Sequence, residues 1–441
     1  MKKSVVFVIA IIVVVIVIFG IFFVKNLEKE KIVGEESGKL EIFEKGLGNL
    51  CDNEEGCISF CQNNRRRCEE YCKRNKNELC VILFPSESLP SCNEKKELFT
   101  VSPVSFEDLN VVIPLGSLNP SSHVFPTDHI YMNVKRDEIL DMPKSAMVVS
   151  PGEIYIIQIS SYEHISANSS FTDYDLEFYP CKEIYAKFGH VTSISKKLQE
   201  KFDQSYGECN SYSTGATYVK RCNKRVNVKL EAGDEIGTTG GFKGAAAGLD
   251  FWLADYRKEK INYANPSRWG KISFYITCPI DYFIPDIRNK MYLLLNRARS
   301  IEPICGTIEQ DIAGTAQGVW FVKGTTNIYP EDLHLALAHD NIRPLNEVFS
   351  VGMSLLDYGL SSGTYHFSPK HSGMVNRDFK EVLPDGTIYC YDSLSGKFGD
   401  QISKRIILQL TSPTTLKIQG QAMSSCDTEP WSFEKGAEFE R

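Results

Sequence analysis

Fourteen cysteines constrain this 441-residue chain more than any other feature. Seven crowd into one short stretch, at positions 51, 57, 61, 68, 72, 80 and 92, and seven are spread out at 181, 209, 222, 278, 305, 390 and 426. Both sets are odd. If every cysteine pairs within one chain, at least one disulfide must tie the crowded stretch to the rest. This number and clustering suit an oxidising, extracytoplasmic space better than a reducing cytosol.

Cys57, Cys61, Cys68 and Cys72 are separated by four, seven and four residues, which keeps their sulfurs within about 60° of one helix face. Two arrangements satisfy this spacing: one continuous helix, or a helical hairpin that turns at Asn63-Asn64 and is stapled by disulfides. Cys-x-x-Cys spacing is absent, so stapling is expected over a zinc cluster. Cys390 and Cys426 are expected to pair with each other.

Ser4 to Val24 carries no charge over twenty-one residues, long enough to cross a bilayer. No small-x-small cleavage site follows it, so an uncleaved membrane anchor is expected over residues 1–25, with the body extracytoplasmic at the cell membrane. Residues 26–50, charged and glycine-punctuated, read as a stalk, and 51–95 as the cysteine-rich helical module. The formal charge of −7 becomes −10 once residues 1–31, five lysines against Glu28 and Glu30, are set aside. An acidic body argues against a nucleic-acid partner. Asn168-Ser169-Ser170 is a glycosylation sequon.

From about Leu98 the chain becomes short runs of Val, Ile, Tyr and Phe broken by Pro, Gly and Asn, which predicts a mainly β body. Helical periodicity is confined to Ser195–Phe202 and Pro285–Arg299. The expected division is a β domain over 96–283, a linking helix over 284–300 and a second β domain, barrel or sandwich, over 301–441. Gly318-Val319-Trp320-Phe321 is similar to the Gly-x-Trp opening of lipocalin-type barrels, which bears on shape alone.

Three dispersed patches carry chemistry. They are His123-Val-Phe-Pro-Thr-Asp128-His129, then Phe188-Gly189-His190-Val191-Thr192, then Leu230 to Gly240 running on to Gly248-Leu249-Asp250-Phe251. Imidazoles and carboxylates drawn from separate strands are what an open zinc site is built from. Within 100–260 these motifs resemble the lysostaphin-like zinc endopeptidases, whose duplicated hybrid motif domain is an antiparallel β fold. The segment Phe188 to Thr192 matches that family's aromatic-x-His-(Leu/Val)-(Ser/Thr) strand end, and Leu230 to Gly240 its glycine-bounded hairpin.

The resemblance implies metal ligation by His123, Asp128, His129 and Asp250, with Zn2+ as cofactor, and a catalytic part for His190. The family's closing His-x-His reads Gly248-Leu249-Asp250 here, and its opening His-x-x-x-Asp is stretched to five residues between His123 and Asp128. On that ground the expected role is binding of an envelope peptide or glycan, or scaffolding; an active zinc endopeptidase is the alternative. Asp128 and His129 are adjacent, so a regular strand would not aim both inward. Lys243 lacks the flanking residues of a biotinyl or lipoyl carrier hairpin. His334, His339, His366 and His371 are spaced five apart in pairs, which suits neither helix nor strand face, so hydrogen-bonded histidines are expected there.

Overall fold

The computed structural model describes residues 60–441, apart from 62–63, 75–77, 167–168, 206 and 215–216. The expected anchor, the stalk, Cys51, Cys57 and Asn168 lie outside the described residues. No helix among the described residues is long and apolar enough to cross a membrane.

Two units are distinct, residues 1–88 and 89–441. In the first, helices α1 (Arg65–Arg74), α2 (Glu78–Leu83) and α3 (Pro85–Ser88) follow one another. Disulfides Cys61–Cys68 and Cys72–Cys80 staple them. These four sulfurs are buried with Phe84 and form the module's core, as expected where so short a segment has few apolar side chains to bury.

The second unit is β throughout its core. In order come β1 (Leu109–Ile113), β2 (His129–Val134), β3 (Arg136–Asp137), β4 (Met142–Pro143), β5 (Ala146–Val149), β6 (Ile154–Ser166), β7 (Ser169–Cys181), β8 (Ile184–Ile194), α4 (Lys196–Gln204), β9 (Gly207–Thr214), β10 (Thr217–Leu230), β11 (Glu235–Thr239) and β12 (Gly248–Asp255). The main sheet runs β1-β2-β12-β8-β7-β6-β10-β9, antiparallel at every step, with β11 crossing from β8 to β5. Strand alternation sends Phe178, Phe188 and Phe251 to one face, where they meet Phe99 and Phe283 at ring separations of 4.8–6.4 Å. The opposite face is polar and carries the imidazoles and carboxylates.

After α5 (Pro285–Leu295) come β13 (Gly318–Val322), β14 (Leu335–His339), β15 (Glu347–Val351), β16 (Gly363–Phe367), β17 (Tyr389–Tyr391), β18 (Arg405–Ser412), β19 (Thr415–Gln421) and β20 (Ala437–Glu440). Their order, β16-β15-β14-β13-β20-β19-β18-β17, is an eight-stranded, nearly closed antiparallel barrel. Of the two shapes the sequence allowed for the second β domain, the barrel is the one observed. Its interior is packed by Trp320, Phe349, Phe367, Phe379, Tyr391 and Phe439. Arg441 closes one end, its guanidinium 4.1 Å over the Trp320 ring.

Disulfide Cys92–Cys181 satisfies the parity argument: it joins the last cysteine of the crowded stretch to β7. Cys209–Cys222, Cys278–Cys305 and Cys390–Cys426 are the other disulfides of this unit among the described residues, and none of the described cysteines is free. The segment before β2 is clamped between sheet and barrel. Val124 and Phe125 pack on Val319, Phe321 and Ala336, while Leu118 packs on Ala338 and Val348.

Candidate functional site

Asp250 sits at the centre of the site because β12 lies between β2 and β8. It pairs with Tyr131 on one side and Gly189 on the other. Along β12 the odd residues Leu249, Phe251 and Leu253 are fully buried in the core, so Asp250 and Trp252 face the other way. On β2, His129 stands opposite Trp252 and shares that face.

His190 reaches the same face only through a bulge. Between Tyr174↔Val191 and Leu176↔Phe188, one residue of β7 faces two of β8, Gly189 and His190. A regular strand would send His190 to the side opposite Gly189, into the Phe188 layer; the extra residue re-aims it. His190 has φ +59°, a conformation costing a non-glycine residue about 1–3 kcal/mol. Gly189 is needed beside it, since a Cβ there would come within 2.9 Å of the Trp252 ring.

The resulting array alternates carboxylate and imidazole. Asp128 Oδ1 lies 3.1 Å from His129 Nδ1, and His129 Nε2 lies 3.4 Å from Asp250 Oδ2. The same Oδ2 is 3.3 Å from His190 Nε2, whose Nδ1 is 2.8 Å from Asp173 Oδ2. Asp173 Oδ1 then meets His164 Nε2 at 2.9 Å. Both imidazoles facing Asp250 are therefore backed by a carboxylate on the far nitrogen. The Trp252 indole also donates to Asp128 Oδ1, at 2.5 Å.

Asp128 precedes β2 rather than belonging to it, so the strand alternation that set it against His129 does not apply. Its side chain is 43% exposed and reaches His129 from behind. His123 lies outside the array, in the turn where Asn119 and His123 exchange backbone hydrogen bonds. Its ring is 5.6 Å from that of His129.

Burial, then the His129 charge, drives the His123 imidazole down to about 4. For His190, burial is outweighed by the charge of Asp250 and by the hydrogen bond and charge of Asp173, which hold it up at about 9. Burial raises the Asp250 carboxyl, against the opposing charges of His190 and His129. Burial also pushes Asp128 and Asp173 upward, but the imidazole hydrogen bonds prevail and both lie below the usual carboxylate range.

The donor chemistry of these residues is that of a divalent-ion site. His129 Nε2 is buried without a hydrogen-bond partner and faces a carboxylate oxygen, the position of a ligand lone pair whose tautomer Asp128 fixes. His129, Asp250 and His190 would be the ligands, with Asp128 and Asp173 behind the two histidines. Among the described residues, the trios whose donor atoms already lie within 4.8 Å of one another are Cys92–Cys181–Glu183, consumed by its disulfide, and His371–Asp378–Glu381. The central trio is more open and would draw inward to reach donor distances of ~2.0–2.2 Å.

Gly248 has a steric reason to be glycine. A Cβ there would lie 2.0 Å from the Met132 carbonyl oxygen of β2, so no imidazole fits at that position with the strands so placed. In the hairpin before it, Gly233 adopts φ +87°, as a glycine-bounded turn requires.

A cavity of about 560 Å3 opens over His190 and Asp250 and is walled on its other side by the barrel. A second, of about 510 Å3, opens over Asp128, His129 and Trp252. Both are lined by His123. Asp173, His164, Trp252 and the barrel wall apart from His366 escape sequence reasoning; the trace of the first is the polar period-two run Asp173, Asp175, Glu177 on β7. The barrel histidines are hydrogen-bonded or ion-paired, with His366 Nδ1 2.9 Å from Asp340 Oδ2 and His334 Nδ1 accepting from the Val322 amide at 3.2 Å.

No family model, curated protein or solved structure matches this chain.

Proposed function

We propose that the protein is an exported, envelope-associated binding protein that holds a divalent metal ion, zinc by its donor chemistry, and grips an envelope peptide in the cleft between sheet and barrel. The observation carrying this reading is the pair of carboxylate-backed imidazoles on one Asp250 oxygen, the arrangement that orients and strengthens metal-binding histidines. When bound, such an ion polarises a carbonyl and acidifies water. The chain's own residues do the rest. Asp128 and Asp173 hold the two rings in place, Asp250 supplies the negative charge between them, and the barrel wall shapes the cleft. Binding is favoured over turnover because the position of a second imidazole, Gly248, is sterically closed.

Active endopeptidase chemistry is the second reading. It is favoured by His123, a neutral imidazole at neutral pH that lines both cavities and is placed to accept a proton. Export is supported by the disulfides, and membrane tethering by the apolar segment Ser4 to Val24.

Metal analysis by mass spectrometry on the full chain, purified without chelator, tests the reading. About one equivalent of zinc or another divalent ion is expected, reduced by His129→Ala and by His190→Ala. A metal-free wild-type protein after zinc supplementation near neutral pH would overturn it.

A further inference from the structure

We infer that the barrel wall of the cleft is a carboxylate-binding subsite, in which Arg343 and Lys397 hold the acidic end of a peptide whose body lies towards His190 and Asp250. This deepens the proposed function and rests on the cleft being the ligand site. Charge matching points to it. The wall carries one carboxylate, Asp340, and its charge is consumed locally. Its Oδ1 accepts from the backbone amides of Ile342 at 2.7 Å and Arg343 at 2.8 Å, and its Oδ2 pairs with His366 Nδ1 at 2.9 Å.

The two cations have no such partner. Lys397 Nζ donates to the neutral Asn119 Oδ1 at 3.0 Å, and it forms no ion pair among the described residues. Lys397 is exposed at the rim of the cavity, and desolvation by the wall around it lowers its pKa against the pull of Asp340. The Arg343 side chain has neither a hydrogen bond nor an ion pair among the described residues, yet it lines the cavity. An exposed guanidinium and an exposed ammonium that line one cavity wall, where the single carboxylate is already held by His366 and two backbone amides, can receive a planar oxyanion, which the guanidinium takes in a forked pair.

Phe398, next in sequence to Lys397, is 92% exposed and lines the same cavity. It offers an apolar lip to an uncharged ligand body. A cavity of about 560 Å3 is of the size that takes a compact ligand of a few residues. The occupant that satisfies all three features is a short peptide with a free carboxylate and small apolar side chains.

The test is calorimetric titration of the full chain with N-acetylated dipeptides of small apolar residues, as acids and as C-terminal amides, with inorganic phosphate as competitor. The acids should bind at least tenfold more tightly than the amides. Arg343→Gln and Lys397→Gln should each weaken the acids about tenfold, leaving the weaker amide binding and the metal content unchanged. Equal binding of acid and amide, unchanged acid affinity in the double variant, or no binding of either peptide would overturn the subsite. Displacement by phosphate at equal concentration would overturn the peptide carboxylate in favour of a phosphorylated ligand. Metal content is read separately, so a metal-free wild type that still discriminates acid from amide would sink only the metal reading.

Discussion

His190 Nδ1 and Asp173 Oδ2 meet at 2.8 Å across β8 and β7, beside the single extra residue that bulges β8. The bulge would be a local liability without that contact. With it, a left-handed histidine is fixed by a buried carboxylate that His164 holds from the other side.

Asp173→Asn should therefore lower the His190 pKa from about 9 towards the ordinary histidine value, read by NMR titration of the imidazole in metal-free protein. Because the folded-state value is raised, the stabilisation His190 contributes is complete below pH about 6.5 and is lost as pH rises through about 9. The variant should flatten that fall in thermal stability. It should also weaken metal binding by a factor of about 10–100, the usual effect of removing an outer carboxylate. An unmoved titration midpoint would refute the role assigned to Asp173.

Gly248→His, which places an imidazole beside Asp250 on β12, should not create activity. Its Cβ would press on the Met132 carbonyl oxygen, and forced overpacking of this kind costs about 1–3 kcal/mol. Gly248→Ala should show most of that loss in urea unfolding. A fully stable, catalytically active Gly248→His variant would contradict the steric account.

Glu347 in the barrel is fully buried and accepts from the Phe379 amide. Burial, then the Asp378 charge, lifts its carboxyl from 4.5 to about 9. The folded state thus holds a proton the unfolded chain releases, and barrel stability should fall as pH rises from about 4.5 to about 9, by at most about 1.4 kcal/mol per pH unit. Glu347→Gln should remove this slope and be more stable than wild type at pH 8, as circular dichroism melts would register.

Cys92–Cys181 closes a loop of 89 residues. Replacing both cysteines with serine should cost about 2–5 kcal/mol without freeing a thiol, since both members of the pair are removed together. Thiol titration of the unfolded double variant and its melting temperature check both halves of that statement.

Counting and local pattern are enough to outline this protein. If every cysteine pairs within the chain, two odd sets call for a bridge between them, and Cys92–Cys181 joins one member of each set. Valine, isoleucine and aromatic runs pointed to β strands, and the 3.6-residue periodicity over Ser195–Phe202 and Pro285–Arg299 falls on the helices Lys196–Gln204 and Pro285–Leu295. His129, Asp128, His190 and Asp250 were visible because imidazoles and carboxylates are conspicuous among apolar strand residues.

How those residues meet is a matter of tertiary packing. Strand order brings β2, β12 and β8 side by side, and no local signal encodes that adjacency. A one-residue bulge reverses the face of His190, and such a shift depends on the register of two strands together. Asp128 backs His129 and His123 stands apart because the loop before β2 is pinned to the barrel by Leu118, Val124 and Phe125. The cleft and the basic residues at its rim exist only where chain segments more than two hundred residues apart in sequence, such as those bearing Asn119 and Lys397, come into contact. Sequence pattern reports what each segment prefers, whereas a site is set by which segments pack together, and that is decided by burying the faces of both β domains at once.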